Sequence, residues 1–76
     1  MRGNMKAERA RRGLSEREVA EEIGVHANQV SRWEQGTQEP SGSNLLKLSS
    51  FYGCSPDYLL DLTSERKKQA VARRGD

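Results

Sequence analysis

The sequence predicts a compact all-α domain of five short helices with a charged C-terminal tail, and three observations point there. Apolar residues recur at helical rather than alternating spacing: Val19, Ala20 and Ile23 in one segment, Val30 and Trp33 in the next, Leu45, Leu48 and Phe51 in a third. Start and stop signals bracket these segments, with serines at positions 15, 41 and 55 and glycines at 13, 24 and 53. Finally, 76 residues with 33% hydrophobic content leave room for one modest core. Helices suit such a chain better than a sheet, because a small domain buries only about 60% of its surface.

Taken in order, residues 1–4 read as a flexible start. A first helix follows over residues 5–12, ended by Gly13, with Met5, the stem of Glu8 and Arg9 inward and Leu14 just beyond. An arginine near the inner face implies a partner, because an unpaired buried charge is costly. Ser15 with Glu18 three residues on forms a capping box that fixes the start of the second helix. Gly24 follows its last apolar turn, where a left-handed backbone favours a residue without Cβ. The third helix, residues 27–35, turns Val30, Trp33 and part of Ala27 inward and leaves Asn28, Gln29, Ser31 and Arg32 outside.

Residues 37–41 form a connector in which Pro40 breaks helix and Ser41 is a candidate N-cap. The fourth helix spans 42–52, with Leu46 on its flank. Ser55 caps a short fifth helix with Pro56 at its first position and Asp57 in its first turn. Tyr58, Leu59 and Leu62 are its packing residues, and Leu60 is left toward the surface. The domain thus covers 5–62. Residues 63–76 make a basic tail with little apolar content, either a helical extension or disordered.

Composition excludes several function classes. No apolar run approaches the ~20 residues of a membrane span, and no signal-peptide core is present, so no membrane partner is expected. The single cysteine, Cys54, cannot close an intrachain disulfide and suits a reducing cytoplasm as a small buried hydrophobe. The lone His26 has no cysteine or carboxylate at ligand spacing, so no metal is expected. No nucleophile–base pair and no phosphate-binding glycine loop occurs, so neither an enzyme nor a cofactor is expected. The net charge of +2 is uninformative, but its distribution is not. Residues 1–14 sum to +4, residues 15–25 to −3 and residues 63–76 to +3, a pattern that suits contact with phosphate over part of the surface.

The stretch from Ser15 to Gly36 has the layout of a helix-turn-helix. Together with Arg9, Gly13-Leu14-Ser15, Val30-Ser31-Arg32-Trp33-Glu34, Pro40-Ser41, Leu45-Leu46-Lys47-Leu48 and Ser55-Pro56-Asp57-Tyr58-Leu59-Leu60, it resembles the lambda-repressor-like, Cro/Xre-type DNA-binding family over roughly residues 5–62. The resemblance implies a bacterial or phage regulator acting on double-stranded DNA. It also implies a salt bridge between Arg9 and Glu34, and base contacts from Ala27, Asn28 and Arg32.

Chemistry supports the same face. A major groove about 12 Å wide accepts one helix, Asn28 and Gln29 can bond adenine, Arg32 suits the two acceptors of guanine, and Ala27 can meet a thymine methyl. Phosphate candidates are the amides near Ser15 and Glu16, the side chains of Arg11, Arg12 and Arg17, and Gln35 with Thr37. Two positions depart from the family. Glu16 stands where a phosphate-bonding glutamine is common, and His26 where a serine or threonine usually caps; His26 either caps weakly or, protonated, touches phosphate.

By resemblance, a homodimer reads two half-sites through a surface at helix five: Pro56, Tyr58, Leu59, Leu60 and Leu62. Repression of a palindromic operator is the better reading. The alternative is a protein-interaction module, such as an antitoxin or anti-repressor, with an unidentified protein partner. Glu16, Glu39 and the carboxylates of residues 15–25 favour it.

Overall fold

The computed structural model describes residues 3–66. Five helices follow one another: α1 (Gly3–Arg11), α2 (Glu16–Ile23), α3 (Ala27–Gln35), α4 (Gly42–Tyr52) and α5 (Pro56–Leu59), with no strand among the described residues. None of these helices is long and apolar enough to cross a membrane. The tail expected from residue 63 is described only to Arg66. Residues 63–66 do not continue α5, and the remainder of the tail lies outside the described residues.

The core gathers one or more side chains from every helix: Met5, Val19, Ala20, Ile23, Val30, Trp33, Leu48, Tyr52, Tyr58 and Leu59, with Cys54 from the α4–α5 turn. Burial pushes the Cys54 thiol pKa up, which keeps it a thiol. The inner face of α4 is rotated from the expected one. Leu48, Ser49 and Tyr52 are buried, whereas Leu45 and Phe51 are half-buried. Ser49 is polar, so apolar spacing does not mark it as inward; its hydroxyl donates to the Cys54 carbonyl at 2.6 Å, which satisfies it on burial. At the C-terminal side the roles of two leucines are exchanged. Leu62 is 71% exposed, and Leu60 packs against the core.

The start of the chain also differs from expectation. Gly3 and Asn4 are not a frayed end but the first turn of α1. Their amides donate to the Asp61 carboxylate at 3.0 and 3.1 Å, and the Asn4 Nδ2 group donates to the Tyr58 carbonyl at 2.8 Å. A carboxylate from 57 residues away thereby caps α1, which nothing in the local sequence announces. Asp61 sits at φ 62°, a left-handed conformation in which a non-glycine residue is uncommon. Asp61→Ala, which removes the cap and keeps the strain, should cost about 1–2 kcal/mol. Asp61→Gly, which relieves the strain, should cost less. Thermal melts followed by circular dichroism would rank the pair; equal melting temperatures would contradict this account.

Candidate nucleic-acid interface

Local signals in the chain build the α2–turn–α3 unit. The Ser15 hydroxyl accepts from the Glu18 amide at 3.0 Å, and the Glu18 carboxylate accepts from the Ser15 amide at 2.8 Å, which starts α2. Gly24 ends it at φ 80°, and the amides of Gly24 and Val25 both donate to the Ala20 carbonyl, at 2.8 and 2.9 Å. His26 is the extended residue before α3, yet its side chain makes no capping bond. Instead Gln29 reaches back, and its Oε1 accepts from the His26 amide at 3.1 Å.

That bond changes the reading of Gln29. Half-buried, with one lone pair of its carbonyl engaged, it is less free than Asn28 to present the donor–acceptor pair that adenine needs. Its first task is to hold the start of α3.

The inner side of α3 is fixed at three points. Val30 and Trp33 are buried in the core, and Glu34, only 3% exposed, meets Arg9. Arg9 donates from Nε to Glu34 Oε2 at 2.7 Å and from Nη2 to Oε1 at 3.0 Å, while Nη1 donates to the Leu14 carbonyl at 3.0 Å. A guanidinium whose fork is matched by a carboxylate can be brought out of water at tolerable cost. Its pKa is raised further by the Glu34 hydrogen bonds, so the guanidinium stays charged at any ordinary pH. Outward, Asn28 and Arg32 are exposed, and among the described residues neither side chain has a hydrogen-bond partner. Ala27 is half-buried beside them. Gln35 donates to the Ser31 hydroxyl at 3.3 Å, and the Thr37 amide donates to the Arg32 carbonyl at 3.0 Å, closing the helix beyond Gly36.

The residues expected at phosphate fall into separate groups. Ser15, Glu16 and Gln35 share a cleft of about 320 Å³ with Lys6, Arg9 and Glu34, where the start of α2 meets the end of α3. Charge alone does not single out Lys6 in the sequence, although its i,i+3 spacing to Arg9 puts both on one face of α1. Burial raises the Glu16 carboxyl pKa above its usual range; Glu34 adds to the rise, and Arg9, 4.0 Å away, opposes it. Arg17 is open to solvent, 3.9 Å from Glu21.

Arg11 and Arg12 belong elsewhere. Both are held by the fully buried Glu8, at 2.6 and 2.8 Å, and Arg12 also donates to the Tyr52 carbonyl at 2.6 Å. Arg12 braces the end of α1 against the end of α4, and neither arginine lines the cleft.

The expected dimer surface needs correction. Tyr58 and Leu59 are 6% and 0% exposed, so both are core residues and cannot meet a second chain. Helical spacing cannot separate a short helix's core face from its outer face when nearly every residue is apolar. Pro56 and Leu60 remain half-buried and Leu62 exposed. Leu46, 66% exposed on α4, is a second large apolar side chain in solvent.

The helix-turn-helix family profile matches residues 5–59, most of the chain. The chain belongs to the Cro/Xre-type helix-turn-helix family. It is 36% identical over 64 residues to the HTH-type transcriptional regulator ImmR of Bacillus subtilis, a match covering 84% of this chain and 50% of ImmR. It is 39% identical over 56 residues to the repressor protein C2 of Salmonella phage P22, covering 74% of this chain and 26% of that repressor. A third relative, the cryptic phage CTXphi transcriptional repressor RstR of Vibrio cholerae, is 44% identical over 45 residues, 59% of this chain and 40% of RstR. The chain therefore spans half or less of each of these relatives. No solved structure matches it.

Proposed function

We propose that this chain is a sequence-specific DNA-binding transcriptional regulator, a repressor that lays α3 in the major groove as a homodimer on a palindromic operator. The observation that carries the reading is the division of α3. Val30, Trp33 and the Arg9–Glu34 pair lock one side to the scaffold, while Asn28 and Arg32 stand free on the other. Such a helix has its donors and acceptors set at fixed positions before binding, so little ordering is left to be done at the base edges. Relatives named as repressors in two phages support the sign of regulation.

In this reading Ala27, Asn28 and Arg32 meet bases. Ser15, Arg17, His26, Gln35 and Thr37, joined by Lys6, lie along the phosphates, and Glu16 weakens rather than strengthens that contact. Leu62, with Pro56 and Leu60 beside it, is the apolar surface left for a second copy, which would read a half-site about one helical turn away.

Selection from random duplex DNA, followed by titration of the winner at two salt concentrations, tests this. A palindromic winner is expected. Asn28→Ala and Arg32→Ala should then each relax preference at one defined base, at a cost of about 1–3 kcal/mol. Failure to enrich any sequence, with only weak salt-sensitive binding, would overturn it. The outcome would then favour a protein-interaction module, for which the acidic outer face of α2 (Glu18, Glu21 and Glu22 around Leu14 and Phe51) is the supporting observation.

A further inference from the structure

Glu8 and Arg9 are adjacent in α1 and serve different faces of the domain. Arg9 grips α3 through Glu34. Glu8 grips the segment after α5: Arg66 donates to both of its oxygens, from Nε to Oε2 at 2.5 Å and from Nη2 to Oε1 at 3.1 Å. The Tyr58 hydroxyl donates to the same carboxylate at 3.2 Å, and the Arg66 carbonyl accepts from the Ser55 amide at 3.1 Å. At the other end of α1, Asp61 of the same segment caps Gly3 and Asn4. Residues 61–66 therefore hold α1 at its first turn and again near its middle. All six lie beyond the family match, which ends at residue 59.

From this juxtaposition we infer that residues 61–66 act as a strap that positions the recognition helix, with Arg66 a positioning residue for DNA reading that acts through Glu8, α1 and the Arg9–Glu34 pair. The inference rests on α3 being the reading element but not on the operator or on the dimer. The physical basis is leverage. Helix α1 is nine residues long and shows the exposed, polar character of a helix that tertiary contacts must hold. Met5 is its one fully buried apolar anchor, so its placement depends on the polar contacts at its two ends and on Glu8. A change in its seating is passed to α3 by a two-bond ion pair that leaves little slack.

Arg66→Gln tests the inference in two measurements on the full chain. Hydrogen exchange without DNA should show faster exchange of the α3 amides as well as those of α1, while the melting transition stays cooperative. Binding to the selected duplex should weaken roughly three- to tenfold. The slope of log affinity against log salt should be unchanged, because no phosphate contact is lost. Asp61→Asn, which loosens the other end of the strap, should reproduce the α3 exchange change.

A salt slope shallower by about 0.9 would make Arg66 a phosphate contact and overturn the inference. Unchanged α3 exchange in both variants would overturn it as well. If the wild-type chain enriches no DNA sequence, the regulator reading fails, and the α3 exchange result still decides whether the strap acts on that helix.

Discussion

Replacing Glu8 by alanine should leave the domain only marginally stable at room temperature. The carboxylate is fully buried and accepts from Arg11, Arg12, Arg66 and Tyr58. Removing it leaves three guanidiniums converging on one another around a cavity, and breaking a buried charge pair from one side costs about 3–5 kcal/mol. Small domains hold only about 5–15 kcal/mol in total, and one of this size belongs at the low end. Glu8→Gln keeps the volume and should separate the two contributions, since it loses the charge without opening a cavity.

The same group sets an acid limit. Hydrogen bonding from Arg66, then Arg12, holds the Glu8 pKa at about 2, against 4.5 for the free side chain, although burial opposes the shift. A depressed folded-state value means stability that is complete above about pH 4.5 and lost as the pH falls toward 2. Because the arginines are partly in water, the contribution is discounted to on the order of 2 kcal/mol. Urea unfolding of the wild type and of Glu8→Gln between pH 3 and 7 would test this. The wild type should lose stability over the acid limb and the variant should not. A wild-type midpoint that is flat from pH 5 to 3 would refute the assignment.

What the sequence disclosed and what it hid follow one physical division. Capping boxes, glycine stops and apolar periodicity are local, and they located α2, α3 and α4 because their causes lie within a few residues. The Ser15–Glu18 box and the Gly24 stop needed no knowledge of the rest of the chain. The Asp61 cap of α1 and the Arg66 grip on Glu8 join residues more than 55 apart, and no local pattern records them.

Glu8 shows why. In sequence it is one carboxylate among many on a polar helix, and only its neighbours in space reveal that it is the most deeply buried charge in the described domain. Arg11 and Arg12 read as phosphate contacts for the same reason: their charge is visible in the sequence, their partner is not. Tyr58 and Leu59 mark the converse failure, because a four-residue helix is too short for periodicity to choose a face. The division of α3 into an inner and an outer face was legible because the residue types on the two sides differ so sharply. The cleft of Lys6, Ser15, Glu16 and Gln35 was only half legible, since it forms where three helices meet.

Arg9→Ala should be nearly as damaging as the loss of Glu8, and its pH dependence should run the other way. Without the guanidinium, Glu34 stays buried against Glu16 with only Lys6 as a cation in the same cleft, and the Leu14 carbonyl loses its donor. The expected cost is again about 3–5 kcal/mol. In the wild type, burial and Glu34 already raise the Glu16 pKa, and Arg9 is the first of the groups that restrain the rise. Removing Arg9 must raise it further. A group whose folded pKa lies above its unfolded value gives stability that is present below the unfolded value and lost as pH rises through the folded one. Arg9→Ala should therefore be more stable at pH 5 than at pH 7.5, and by more than the wild type, in which Arg9 restrains the rise.

The double variant Arg9→Met with Glu34→Met replaces both charges by apolar chains of similar length, and should recover most of the lost stability because neither ion is left alone. It should not recover sequence reading, since flexible methionines do not fix α3 as a two-bond ion pair does. Denaturant midpoints for the wild type, both single variants and the double variant at the two pH values, with binding to the selected duplex at neutral pH, complete the cycle. A double variant that regains stability and reads DNA with wild-type preference would show that the ion pair carries no part of the specificity. The placement of α3 would then rest on Val30 and Trp33 alone.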